Sequence, residues 1–180
     1  MKVELVTYTP TSFLSDSTVL PPIVDLINTA YNKYKRFAVP RVSGPGQLGD
    51  EFSVQGSYFF VLYLHSDVDG HIPITTAGLK PTSTATCKLE VLCTLPSFGQ
   101  RGYASHMLRH VETTAQVHGY ISITMLVVKE HPGVVSFYEK RGYTVVGEES
   151  WPDENGGWGH AESWGPVASF TLCTLAKRLG

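Results

Sequence analysis

The sequence predicts an α/β domain built on one mixed central sheet of about six to seven strands with flanking helices. Three observations carry that prediction. Apolar strand-like runs alternate with segments of helical period along the 180 residues. Asp67-Val68-Asp69-Gly70 places turn chemistry between two adjacent strand-like runs, as in a hairpin. Elsewhere helices separate the strands, so the order runs strand, helix, hairpin, strand, helix, strand, helix, strand, strand.

Val3–Thr9 sets Val3, Leu5 and Thr7 against Glu4, Val6 and Tyr8 and reads as the first strand. Pro21 and Pro22 suit a first helical turn, where a missing N–H costs nothing. Ile23, Leu26, Ile27, Ala30, Tyr31 and Tyr34 then share one helical face. Val42–Gly49, with Gly44, Pro45, Gly46 and Gly49, reads as a loop, with a short helix near Asp50–Val54. Ser57–Leu64 is a buried strand, and Ile72–Leu79 is its antiparallel return. Pro73 points to a strand end or a sheet edge.

Thr84–Leu95 is the next strand, stopped by Pro96. A turn over Gly99–Gly102 leads into a helix to about His118. Its apolar stripe is Ala104, Met107, Leu108, Val111 and Ala115, and Gly119 ends it. Ile121–Val128 is an apolar strand, Pro132 opens a helix and Gly142 closes it. Tyr143–Val146 and Val167–Leu175 are the last strands, around a long loop rich in tryptophan and glycine.

Composition narrows the class. A hydrophobic fraction of 42% and a charged fraction of 17% fit a globular chain, and its length fits one domain spanning 1–180. A net charge of −2 lacks the basic footprint of a nucleic-acid binder. No apolar run is long enough to span a membrane, and the N-terminus has no apolar signal core. Cys87, Cys93 and Cys173 are odd in number and widely spaced, which reads as buried thiols rather than a disulfide or zinc framework. These features set the expectation of a cytoplasmic protein that binds neither nucleic acid nor membrane.

The strongest signal is Leu92-Cys93-Thr94-Leu95-Pro96-Ser97-Phe98-Gly99-Gln100-Arg101-Gly102-Tyr103-Ala104-Ser105-His106. A strand ends, glycines turn the backbone, and a helix begins. Backbone N–H groups in a first helical turn lack intrahelical partners and carry the positive end of the helix dipole. Together they suit a pyrophosphate. Gly102 and Ala104 permit close approach, and Arg101 can add charge-assisted bonds. An ordinary strand–turn–helix connection is the alternative on the turn alone.

These residues resemble the acetyl-CoA motif of the GNAT acetyltransferase superfamily, Gln/Arg-x-x-Gly-x-Gly/Ala. Arg101 and Gly102 match; Ala104 stands where Gly is usual, and His106 where Gly or Ala is usual. The preceding Leu-x-Thr-x-Pro is similar to the family's Leu-x-Val-x-Pro strand end. A second stretch, Glu130–Tyr143, resembles the closing motif Asn-x-x-Ala-x-x-Phe-Tyr-x-x-x-Gly-Phe. Phe137, Tyr138, Gly142 and Tyr143 match in kind, with His131 for Asn and Val134 for Ala.

The resemblance implies acetyl-CoA as co-substrate, no metal, and a primary amine as acceptor. It implies a sheet splayed between the strand ending near Leu95 and Ile121–Val128. The cofactor-binding set is then Leu92, Cys93, Thr94, Gly99, Gln100, Arg101, Gly102, Tyr103, Ala104, Ser105, His106 and His131. A backbone N–H near Thr94 would polarise the thioester carbonyl.

The same resemblance makes Tyr138 the proton donor to the CoA sulfur; a core aromatic is the alternative. Glu90 is the candidate base, because a carboxylate in an apolar strand can have a raised pKa. Alternation puts it on the face of Leu92 and Thr94. Pairing with Lys88 would lower that pKa instead, and a water chain is a third route. His131 contacts CoA, acts as a base, or simply starts a helix. His106 and His110 stand four apart on one helix, but no third metal ligand accompanies them. His110 reads as a surface residue, and His106 as surface or phosphate-side.

All three tryptophans, Trp151, Trp158 and Trp164, lie in the long loop with His160, Asp153, Glu154 and Glu162. In the family this loop helps line the acceptor site, so Trp151, Trp158, His160 and Trp164 are the candidate acceptor contacts. Aromatic walls with carboxylates suit an aromatic or hydrophobic amine. Tryptophans packed locally or across a homodimer contact are the alternative. Three functions stand at this point: small-molecule amine N-acetyltransferase, peptide N-terminal or lysine acetyltransferase, and a CoA-binding sensor or scaffold.

Overall fold

The computed structural model describes residues 2–15, 17–32, 40–66, 70–151 and 169–180. Among the described residues, seven strands form one mixed sheet in the order β1-β2-β3-β4-β5-β7-β6. They are β1 Lys2–Tyr8, β2 Tyr58–Ser66, β3 Gly70–Pro81, β4 Thr86–Thr94, β5 Ser122–Val128, β6 Thr144–Trp151 and β7 Phe170–Arg178. The helices are α1 Pro10–Ser15, α2 Leu20–Asn32, α3 Pro45–Glu51, α4 Tyr103–Val117 and α5 Pro132–Glu139. All neighbours pair antiparallel except β4 and β5.

Two cores cover the sheet. On one face, Met107, Leu108, Val111 and Ala115 of α4 meet Phe60, Leu79, Leu89, Ile123 and Leu175. On the other, Ile23, Leu26 and Ile27 of α2 and Leu48 of α3 meet Phe13, Phe52, Phe59 and Val61. Most of both helical stripes are those the sequence predicts; Ala104 lies outside this core and Tyr34 lies outside the described residues. Phe13 stacks on Phe59 at 4.5 Å, and Phe52 meets Phe59 edge-on at 4.9 Å. A Cβ on Gly78 would lie 2.1 Å from the Phe52 ring, so that glycine makes room for the aromatic cluster.

Three expectations change. The third helix spans Pro45–Glu51 rather than Asp50–Val54, with Gly44 as N-cap and Pro45 in its first turn. Proline here opens a helix instead of marking a loop. Helix α1 is an addition, signalled by Thr9 before Pro10. Thr9 Oγ1 accepts the Ser12 N–H at 3.3 Å, and Ser12 Oγ accepts the Thr9 N–H at 2.9 Å, a reciprocal cap. Pro73 lies in β3, an interior strand, beside a register shift between Leu62 and Tyr63. The bulge accommodates the missing N–H where a regular ladder would not.

Candidate active site

β4 and β5 pair only over Thr86–Lys88 against Ser122–Thr124 and then part. β4 keeps its pairing with β3 as far as Thr94. The gap opens a cavity of about 1930 Å³ between β4, β5 and the starts of α4 and α5. Leu95 donates its N–H to the Ile74 carbonyl at 2.9 Å. Backbone groups alternate along a strand, so the Thr94 N–H faces the gap.

A bulge in β4 decides which side chains reach which face. Val91 has φ 46, and Gly78 opposes Glu90 while Thr76 opposes Cys93. Two steps on β3 thus match three on β4. Leu89 lies in the α4-side core, but Val91 lies in the α2-side core. Cys93 packs on that same side, whereas Leu92 packs against the α4-side core. The expected alternation of Glu90 with Leu92 and Thr94 therefore fails, because an unbroken pleat would be needed. Cys93 is held at 3.3 Å from Thr76 Oγ1, and burial pushes its thiol up to about 12.

Past Thr94, a 3-10 turn over Pro96–Phe98 precedes the glycine turn. Gln100 has φ 60, and Gly102 caps α4 at φ 83. The left-handed conformation, rather than crowding, demands glycine there: a Cβ on Gly102 would meet nothing within 4 Å. His106 donates its N–H to Gly102 O at 3.0 Å, so the first-turn N–H groups of Tyr103, Ala104 and Ser105 have no intrahelical acceptor. Gly99, Gln100, Gly102, Tyr103, Ala104 and Ser105 line the cavity, as do Leu92, Cys93 and Thr94. Arg101 and His106 do not. Arg101 is exposed, with its guanidinium 5.5 Å over the Phe98 ring, and His106 is exposed on α4. His110 is more than a surface residue: it packs edge-on to Phe60 at 5.3 Å. Burial, with His106 nearby, holds its pKa below the usual value.

Helix α5 forms the opposite rim. Tyr138 is 6% exposed, lines the cavity, and packs edge-on to Phe137 and Tyr143. His131 lines the cavity at the N-cap, but its side chain makes no cap bond. Its carbonyl accepts the N–H of Val134 at 2.8 Å and of Val135 at 3.2 Å. Arg141 joins the two rims: it donates to Ser105 Oγ at 2.6 Å and to Phe137 O, and lies 3.7 Å over the Phe137 ring. Sequence reasoning passed over Arg141, although its four-residue spacing from Phe137 was a usable signal.

The wall on the α2 side is charged and aromatic. Glu90 bonds Lys80 and Lys88, each at 2.8 Å. Burial pushes its carboxyl up, but the hydrogen bonds and charges of the two lysines outweigh burial and hold it below its usual value. The raised pKa expected of a base is thus replaced by a lowered one; the lysine pairing prevails. Glu51 Oε1 accepts from Gln47 Nε2 at 3.0 Å and faces Arg41 at 3.6 Å. Glu51 Oε2 is buried with no hydrogen-bond partner among the described residues. Tyr31, Arg41, Gln47, Glu51, Lys80 and Glu90 all line the cavity. Tyr31 belongs to the α2 stripe and Glu90 stands out in its strand, but no local pattern marks Arg41, Gln47, Glu51 or Lys80, which α3 with its approach and the β3–β4 register bring beside them.

Trp151 ends β6 and lines the cavity, stacked on Phe170 at 4.9 Å. Trp158, His160 and Trp164 lie outside the described residues.

A sequence model of the acetyltransferase (GNAT) family matches residues 23–143. This chain belongs to the GNAT acetyltransferase family. Solved structures agree in fold. A GNAT family acetyltransferase from Elizabethkingia anophelis, with acetyl-CoA bound, is 14% identical at TM-score 0.64, covering 98% of each chain. The protein yncA from Salmonella typhimurium, with its cofactor acetyl-CoA, is 11% identical at TM-score 0.68, over 100% of this chain and 95% of that one. A ribosomal-protein alanine N-acetyltransferase from Escherichia coli is 11% identical at TM-score 0.66, over 99% and 95%. No curated protein matches the sequence. In this GNAT protein the sheet splays between β4 and β5, as the motifs imply. No described helix is long and apolar enough to cross a membrane.

Proposed function

We propose that this GNAT protein transfers the acetyl group of acetyl-CoA to the primary amine of a small molecule with an apolar or aromatic body. The observation that carries the reading is one continuous cavity. It runs from the α4 cradle through the β4–β5 gap to the wall of Tyr31, Glu51, Trp151 and Phe170. The cradle suits the cofactor's pyrophosphate: Tyr103, Ala104 and Ser105, whose N–H groups have no intrahelical acceptor, line the cavity. Bound there, acetyl-CoA supplies the thioester whose C–S bond breaks as the C–N bond to the amine forms.

The chain supplies the rest. The Thr94 N–H, turned into the gap, donates to the thioester oxygen as charge grows on it. The Tyr138 hydroxyl gives a proton to the departing sulfur. The unpartnered Glu51 oxygen accepts the acceptor's ammonium and holds the amine on the α2 side. Glu90, ionised between its lysines, orients a water that carries the amine proton to solvent.

A panel of amines tests the reading by release of free CoA thiol. Arylalkylamines and apolar amino-group donors should turn over, and peptides with free N-termini or lysines should be poor. A peptide preferred over every small amine would reject the proposed acceptor class.

A further inference from the structure

Three metal-binding side chains converge at the β1 edge of the sheet, away from the cleft. Glu4 of β1, His65 of β2 and His71 of β3 place one ligand atom each within 4.8 Å of one another. None of the three lines the catalytic cavity. The convergence comes from register. His65 pairs directly with His71, and Glu4 pairs with Tyr63, two residues before His65. Residues two apart on a strand share a face, so all three side chains rise from one side of the sheet. Glu4 Oε2 already lies 2.7 Å from His65 Nε2, and the two imidazoles meet edge-on with centroids 4.2 Å apart.

We propose that Glu4, His65 and His71 form a zinc site. Two imidazole nitrogens and a carboxylate oxygen are a donor set for a borderline divalent ion, with preference for zinc over magnesium or calcium. Zn–N and Zn–O bonds of about 2.0–2.2 Å put tetrahedral ligands roughly 3.3 Å apart. The ligand atoms, now within 4.8 Å of one another, would close by up to about 1.5 Å on binding. His65 and His71 are held by paired strands, and Glu4 joins them from the edge strand. The ion replaces the Glu4–His65 hydrogen bond, leaves a fourth position for water, and ties β1 to the β2–β3 pair. In one dimension the three positions look unrelated, since 61 residues separate Glu4 from His65.

Tag-free protein, stripped with chelator, is titrated with Zn2+ against a chromophoric chelator. One zinc per chain is expected. His65→Gln and His71→Gln should each weaken binding by at least about tenfold, the loss produced when a merely supporting partner is removed. Zn2+ should also raise the Tm of the parent protein and leave that of His71→Gln unchanged. Independently of any variant, Co2+ in place of zinc should show the intense visible band of a four-coordinate site. Failure to compete for zinc, or parent-like affinity in both histidine variants, would overturn the assignment.

Discussion

The two walls of the cleft are built on different principles. The α4 wall is local: one strand end, one glycine turn and one helix start, all within Leu92–His106, form the proposed anion cradle. The α2 wall is assembled from distant parts: Tyr31, Glu51, Lys80 and Glu90 arrive from a helix, a second helix and two strands. A cradle of this kind can be encoded in a short motif, because it relies on backbone N–H groups at a helix start. An acceptor wall depends on register and on side chains that vary independently. The local wall should therefore respond to single changes in cofactor binding, and the assembled wall in acceptor binding.

The largest effect is expected at Tyr138 on the α5 rim. Tyr138→Phe keeps the buried ring but removes the proposed proton donor. Turnover should fall by about 10²–10⁴-fold, with acetyl-CoA affinity unchanged by calorimetry. Unchanged turnover would return Tyr138 to the role of a core aromatic.

Ala104→Glu separates cofactor binding from folding on the local wall. An acidic group in the first helical turn favours the helix by about 0.3–1 kcal/mol. The same charge should oppose a pyrophosphate by several kcal/mol, or about a hundredfold or more in Kd. A variant as stable as its parent that binds acetyl-CoA equally well would contradict the cradle.

Glu51→Gln probes the assembled wall. Loss of a charge-assisted bond of about 1.5–3 kcal/mol should raise acceptor KM roughly ten- to a hundredfold, with the acetyl-CoA Kd constant. Parallel losses for both ligands would erase the distinction between the walls.

The smallest effect concerns pH. Glu90 has its pKa lowered in the folded state from an ordinary 4.5. Its contribution to stability is therefore complete above that value and fades as pH falls through the folded pKa. Glu90→Gln should be less stable at neutral pH and lose less on acidification, as read by denaturant melts. An unchanged acid limb would mean that the lysine pairing carries no weight.

Legibility in the sequence follows the same division. The periodic stripes of α2 and α4, the order of elements along the chain and the strand–turn–helix of Leu92–His106 are readable, because each rests on local period or turn chemistry. The bulge at Val91 was not: a positive φ at a valine has no sequence signature, and it alone reverses the face of Leu92 relative to Glu90. Lys80 was equally hidden, since its bond to Glu90 depends on the β3–β4 pairing. Proline misled twice for one reason. Pro45 begins a helix and Pro73 sits at a bulge, and both uses tolerate a missing N–H as well as a loop or edge does. Arg101 matches the motif and His106 departs from it, yet neither lines the cavity.

The most direct measurement is thermal unfolding with and without saturating acetyl-CoA. At about a hundred times Kd, binding to the folded state adds about 2.7 kcal/mol. For a chain of this size that predicts a Tm rise of roughly 5 to 10 °C. No rise in the folded protein would leave the α4 turn an ordinary connection and contradict the account.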